Sequence, residues 1–126
     1  MQKKAIRMIN NAHYLAHVKP IALELNVLLL PDLYVYVCAI NMYKAVNKLN
    51  ALSTLKCFVR TVSVHNTSRS QYRLYHPHVR TVVRQNSVVI NSISIWNNLA
   101  PIIALERTLV LFKRAMFAML IKEYTV

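Results

Sequence analysis

The sequence predicts an α+β fold, mostly helical, with a small antiparallel β-hairpin in the second half and a C-terminal helix. Three observations carry that expectation. Apolar residues recur at helical spacing near both ends of the chain, at 2–16, 33–43 and 109–120. β-branched residues crowd into the short runs "RTVSV" (60–64), "VRTVV" (79–83) and "SVVINSISI" (87–95). The composition is 56% hydrophobic with a mean hydropathy of +0.31, too apolar for a disordered chain. At 126 residues the chain is the size of one domain and can bury roughly two thirds of its unfolded surface. Residues 1–58 read as a helical region and 59–126 as hairpin plus C-terminal helix, the two packed together as one domain.

Each element has a local reason. Over 2–16, Ile6, Ile9 and His13 fall near one face while Lys3, Lys4 and Arg7 lie elsewhere. Pro20 suits the first turn of a short helix through "IALELNV", because its ring fixes φ at a helical value. Pro31-Asp32 opens a longer helix in which Leu33, Tyr36, Val37, Ile40 and Tyr43 keep i, i+3, i+4, i+7 spacing. Lys44 and Lys48 close it at the negative end of its dipole. Ser53 can cap one further turn through Phe58. Beyond Arg60 the pattern changes: Ser87, Val89, Asn91, Ile93 and Ile95 alternate with Val88, Ile90, Ser92 and Ser94, and Arg84-Gln85-Asn86 is the expected hairpin turn. Pro77 marks a strand start or an edge. "IWNNLAP" reads as a short helical turn stopped by Pro101, and Thr108–Tyr124 as the last helix.

Charge is lopsided. Sixteen Lys and Arg stand against four acids, a formal +12, and no Asp or Glu occurs from Leu33 to Leu105. A field of that extent is neutralised by a polyanion or tolerated as self-repulsion, so nucleic acid, an acidic protein surface and anionic lipid are the candidate partners. Glycine is absent, where average usage would give roughly nine. Turns that need φ > 0 must then use other residues, and the eleven Asn, several near expected element ends, are suited to it. The missing glycine is also what relaxed selection, or a piece of a larger fold, would leave. Cys38 and Cys57 are too few and too far apart for a disulfide framework or zinc knuckle and are expected to be buried free thiols. "QKKAIRMINNAHYLAH" is amphipathic and basic rather than an apolar leader. Pro31 and Asp32 interrupt the most apolar stretch, "VLLLPDLYVYVCAIN", short of the roughly 20 residues a membrane span needs. An intracellular chain, cytoplasmic or nuclear, is expected.

Composition excludes most catalysis. Glu24, Asp32, Glu106 and Glu123 share no spacing that would hold two metals or make a glycosidase pair. His13 and His17 are four apart, as in a zinc-protease helix, but Tyr14 stands where that helix needs its general base. His76 and His78 fall on the same side of an expected strand but have no Cys or carboxylate beside them, so no metal is expected there either. Without glycine there is no Gly-x-Ser-x-Gly nucleophile elbow. No catalytic residue, metal, cofactor or small-molecule substrate is expected. Between Arg60 and Arg84, by contrast, five arginines mix with Tyr72, Tyr75, His65, His76 and His78. Guanidinium forks suit phosphate and rings suit unpaired bases. The same residues also suit the solvated face of a half-buried hairpin.

Several segments together resemble a known family. "MQKKAIRMINNAHYLAHVKP", "LNVLLLPDLY" and "MYK" are similar to the region after the polymerase core in reverse transcriptases of non-LTR, jockey-like retrotransposons. "HNTSRSQYRLYHPHVRT", "SISIWNNLAP" and "TLVLFKRAMFAML" look like that family's tail, in the family's order. The resemblance covers nearly the whole chain. It implies a C-terminal fragment of an RNA-directed DNA polymerase: thumb-like helices over 1–58 and the tail beyond, with the catalytic palm as the missing partner. The palm's Tyr-x-Asp-Asp is not in this sequence, so the resemblance implies no polymerisation. It implies a grip on RNA or DNA by the backbone, which needs cations and no base selectivity. Basic positions matching the family pattern are Lys3, Lys4, Arg7, Arg69, Arg80 and Arg84; with Arg73, from the arginine-rich stretch, they make the expected nucleic-acid contacts. Trp96, Asn97 and Leu99 match the family's turn and read as structural, Trp96 as a core anchor. The rival readings are an inactive relic of such an element and a basic peripheral membrane protein, the membrane being the less favoured partner.

Overall fold

The computed structural model describes residues 1–49, 73–74 and 76–125. Seven helices are present among them: α1 (Gln2–Ile9), α2 (Val18–Glu24), α3 (Leu30–Val46), α4 (Val82–Gln85), α5 (Val88–Asn97), α6 (Pro101–Ala104) and α7 (Leu109–Lys122). The described fold is all-helical, which corrects the α+β expectation. No sheet occurs among the described residues, and Leu74 alone holds a β-bridge position. The run 60–64 and the turn at Ser53 lie outside the described residues.

The correction has a physical cause. The segments expected as two strands of a hairpin are α4 and α5, with Asn86 as the C-cap of α4 in place of a hairpin turn. Ser87 caps α5 by accepting the Ile90 N–H. Ile90, Ile93 and Trp96, at helical spacing, are buried together. Ser92 is also buried, and its hydroxyl donates to the Val88 carbonyl at 2.6 Å, so the helix supplies its partner. A strand of this sequence would mix Asn and Ser with Ile on both faces. The helix buries Ile90, Ile93 and Trp96, and that burial exceeds the few tenths of a kcal/mol per residue that β-branching costs a helix.

Helix ends replace glycine by other left-handed residues. Asn11, Asn26 and Lys48 take φ of 49°, 53° and 57°, just after α1, α2 and α3. Asn tolerates this conformation better than other non-glycine residues. The first helix therefore stops at Ile9 instead of running through 16, and the chain turns back through 10–17 into α2. Pro31 lies in the first turn of α3 with Asp32, and Lys44 in its last turn, as their signals indicate. Pro101 starts α6 instead of ending a turn.

α3 is the axis, 17 residues and about 25 Å long. α7 runs antiparallel beside it. Phe112 stacks on Tyr43 with centroids 4.4 Å apart, Phe117 meets Tyr36 edge-on at 6.4 Å, and Tyr124 reaches Asp32 and Leu29. Trp96 of α5 completes the first contact, 5.9 Å from Phe112 and 6.5 Å from Tyr43. Trp96 is 1% exposed, a core anchor, with Leu99 buried in the same core. That core draws on both halves of the chain, from Ala22, Ala39 and Tyr43 to Ile93, Met116 and Tyr124. A smaller cluster of Ile6, Val18 and Ile21 ties α1 to α2, and Leu29 packs against both. Cys38 is buried and free. The outer side of α3 is also apolar, leaving Leu30, Leu33, Tyr34 and Val37 exposed. Among the described residues no helix is long and apolar enough to cross a membrane.

Two amide side chains clamp extended backbone. Asn97 accepts the Leu74 N–H at 2.8 Å and donates to the Leu74 carbonyl at 2.9 Å. Gln2 donates to the Leu28 carbonyl at 3.1 Å and accepts the Leu30 N–H at 2.8 Å. Each satisfies one backbone donor and one backbone acceptor, and the Leu30 N–H is an amide that the start of α3 leaves without an intrahelical acceptor. The second clamp holds α1 against the entry to α3.

Candidate nucleic-acid interface

Because α1 stops at Ile9, α2 folds back against it, and cations distant in sequence meet. Lys3 and Arg7, four residues apart, share one side of α1. Across from them stand His17 and Lys19, and an open cleft of about 630 Å³ lies between, floored by Leu29 and Tyr124. No carboxylate lines it. Lys3 and Lys19 are exposed, whereas Arg7 is half-buried and its Nε donates to the Ala16 carbonyl at 2.8 Å. That bond fixes the guanidinium plane and leaves its terminal nitrogens to meet an anion, a fork whose ordering entropy is already spent.

A second concavity of about 560 Å³ shares Lys3, Lys19, Leu29 and Tyr124 with the first but adds Asp32 and Glu123. The lysines form the ridge between the two. Tyr124 is the common floor, and its phenol donates to the Asp32 carboxylate while accepting the Leu29 N–H at 2.9 Å. Burial, and next the hydrogen bond to Asp32, push this phenol up to about 12. It stays a neutral hydroxyl. The acids make this second hollow hostile to an anion, so the acid-free cleft is the better phosphate site.

The expected contacts divide. The structure brings Lys3 and Arg7 together and joins to them Lys19 and His17, which sequence reasoning missed. Lys4 is set apart, about 100° round α1 from Lys3. Arg73 is exposed next to the clamped Leu74. Arg80 and Arg84 are exposed around α4, on the far side in sequence from the cleft. Arg69 lies outside the described residues. Asn97 and Leu99 serve the core and the Leu74 clamp, and Trp96 is buried, so none of the three is available to a ligand.

The signal for Lys19 was present in the sequence. Asn10-Asn11 in a glycine-free chain marks a helix end, and a return helix starting near Pro20 must carry Lys19 back beside α1.

The histidines do not gather. His76 Nε2 lies 3.0 Å from the Ser94 hydroxyl, over a hollow of about 340 Å³ that also takes in His78. His13 packs its ring on Tyr14. Among the described residues no three His, Cys, Asp or Glu side chains come close enough to hold a metal. The chain matches no family model, no curated protein and no solved structure.

Proposed function

We propose that the chain binds RNA or DNA through the sugar–phosphate backbone, without base selectivity and without catalysis. The observation that carries this reading is the convergence of Lys3, Arg7 and Lys19, from two helices, on one cleft that no carboxylate lines. The formal +12 supplies long-range attraction, and the cleft supplies a place where phosphate is met by a fixed guanidinium and two mobile ammonium groups. Arg80 and Arg84, exposed and free of neighbouring acids in sequence, extend the basic surface. The ordered resemblance to the tail of a non-LTR retrotransposon reverse transcriptase supports the same reading. In that setting the chain's share is grip on the template–primer, while the chemistry belongs to a palm of the parent protein.

The test is binding of a labelled RNA–DNA hybrid across a salt series. Three phosphates neutralised in the cleft give a log–log slope of about −3. Arg80 and Arg84 steepen it if they engage the same duplex. A flat response, or no binding at low salt, overturns the proposal.

A further inference from the structure

The corner between α1 and α2 carries a feature that a duplex-gripping surface does not need. Tyr14 is 72% exposed, and its ring lies 4.6 Å from that of His13 at an interplanar angle of 46°. Exposing a tyrosine this fully forgoes the burial that usually fixes it in a fold. The next residue, Leu15, is part of the wall of the Lys3–Arg7–Lys19 cleft. His13 Nδ1 accepts the Leu15 N–H at 3.3 Å, and the Ala16 carbonyl is held by Arg7, so the corner that presents the ring is tied at both ends. An aromatic face therefore stands one residue from an open basic cleft.

We infer that this corner selects single-stranded nucleic acid: an unpaired base stacks on Tyr14 while its flanking phosphate enters the cleft of Lys3, Arg7 and Lys19. The inference rests on the backbone-binding function proposed above and names its substrate class. Bases in a duplex have no free face, whereas every unpaired base offers one, and stacking of this kind is indifferent to sequence. Exposed apolar side chains beside cations also suit an anionic membrane surface, and here the geometry favours the strand. Met8 and Ile9, the exposed apolar residues of α1, fall on the side turned away from the Lys3–Arg7 face, which leaves only Leu15 beside Tyr14 at the cleft, too little apolar surface for an amphipathic anchor.

The experiment compares a labelled single strand of about ten nucleotides with the same sequence as an RNA–DNA hybrid, by fluorescence anisotropy at low salt. The single strand binds the full chain more tightly. Tyr14→Ala weakens the single strand by about five- to a hundredfold and leaves the hybrid within about twofold, while Tyr14→Phe restores single-strand binding. Lys19→Ala weakens both. Salt-dependent hybrid binding with a silent Tyr14→Ala overturns this inference and leaves the backbone reading standing. A Tyr14→Ala that weakens strand and hybrid alike overturns this inference alone, and failure of the unaltered chain to bind either ligand overturns the two together. A third arm uses vesicles containing phosphatidylserine: co-sedimentation that Tyr14→Ala abolishes assigns the corner to lipid and overturns the inference as well.

Discussion

Tyr124 donates its phenolic proton to the Asp32 carboxylate, joining the second residue after α7 to the first turn of α3 across 92 positions of sequence. The same oxygen accepts the Leu29 N–H, an amide at the helix entry that has no intrahelical acceptor. One hydroxyl thus closes the bundle at the end where the basic cleft lies, opposite the Tyr43–Trp96–Phe112 contact.

Tyr124→Phe removes that closure and leaves a carboxylate and a partly buried amide without their partner, a cost of about 1–3 kcal/mol in denaturant unfolding. The pH dependence has a definite sign. The folded pKa of Tyr124 is raised from 10.0 to about 12, so its contribution is fully present below pH 10 and is lost as pH rises through about 12. The stability gap between wild type and Tyr124→Phe narrows over that window. A gap that stays constant, or widens, refutes the assignment.

Asn97→Ala tests the amide clamp on Leu74. Two hydrogen bonds are lost and the Leu74 peptide is left partly buried, for about 2 kcal/mol. Asn97→Asp keeps the acceptor but not the donor and falls between the two. Hydrogen exchange at the Leu74 amide accelerates in Asn97→Ala and stays near wild type in Asn97→Asp, which keeps the acceptor for that N–H; exchange unchanged in Asn97→Ala means that the clamp does not form.

A proline pair separates a helix from a strand at 87–97. Val88 is the first residue of α5, is 61% exposed, and follows Ser87 at φ −64°, ψ 146°, the conformation a following proline requires. Val88→Pro is therefore neutral to within about 0.5 kcal/mol, whereas Ser92→Pro, in the middle of α5, costs about 3 kcal/mol or more. In a hairpin strand both would be disruptive. Circular dichroism and urea unfolding of the two variants decide it.

The same stretch shows why part of the fold was legible and part was not. Pro31-Asp32 predicted the start of α3 because ring geometry and helix dipole act within one turn. Thr108 predicted the start of α7, accepting the Leu111 N–H at 3.3 Å. Trp96 was legible as an anchor, because a lone large ring beside apolar neighbours has few alternatives to the core. α5 was not legible. Val and Ile favour strands locally, and the helical spacing of Ile93 and Trp96 gains its advantage only once α3 and α7 are there to cover it. Ser92 is buried on that helix because its hydroxyl is satisfied by the Val88 carbonyl one turn earlier. The site was half legible for a related reason. Lys3 and Arg7 belong together by helical period alone, but Lys19 joins them only through the left-handed turn at Asn11.

That division gives the last prediction. Lys3→Ala and Lys19→Ala each remove one ammonium group from the cleft without touching the core. Each lowers hybrid affinity and reduces the magnitude of the salt slope by about 1. Arg7→Lys keeps the charge but loses the planar fork, so the slope is retained while affinity drops, because the bond from Arg7 Nε to the Ala16 carbonyl positions the binding nitrogens. Lys4→Ala, at a residue that does not line the cleft, leaves both quantities unchanged. The double variant Arg80→Ala and Arg84→Ala measures the second basic surface. If one duplex spans both surfaces, the slope falls by about 2; if it occupies the cleft alone, the slope does not move. A Lys4→Ala slope that changes as much as Lys3→Ala shows that net charge, and not the cleft, governs binding.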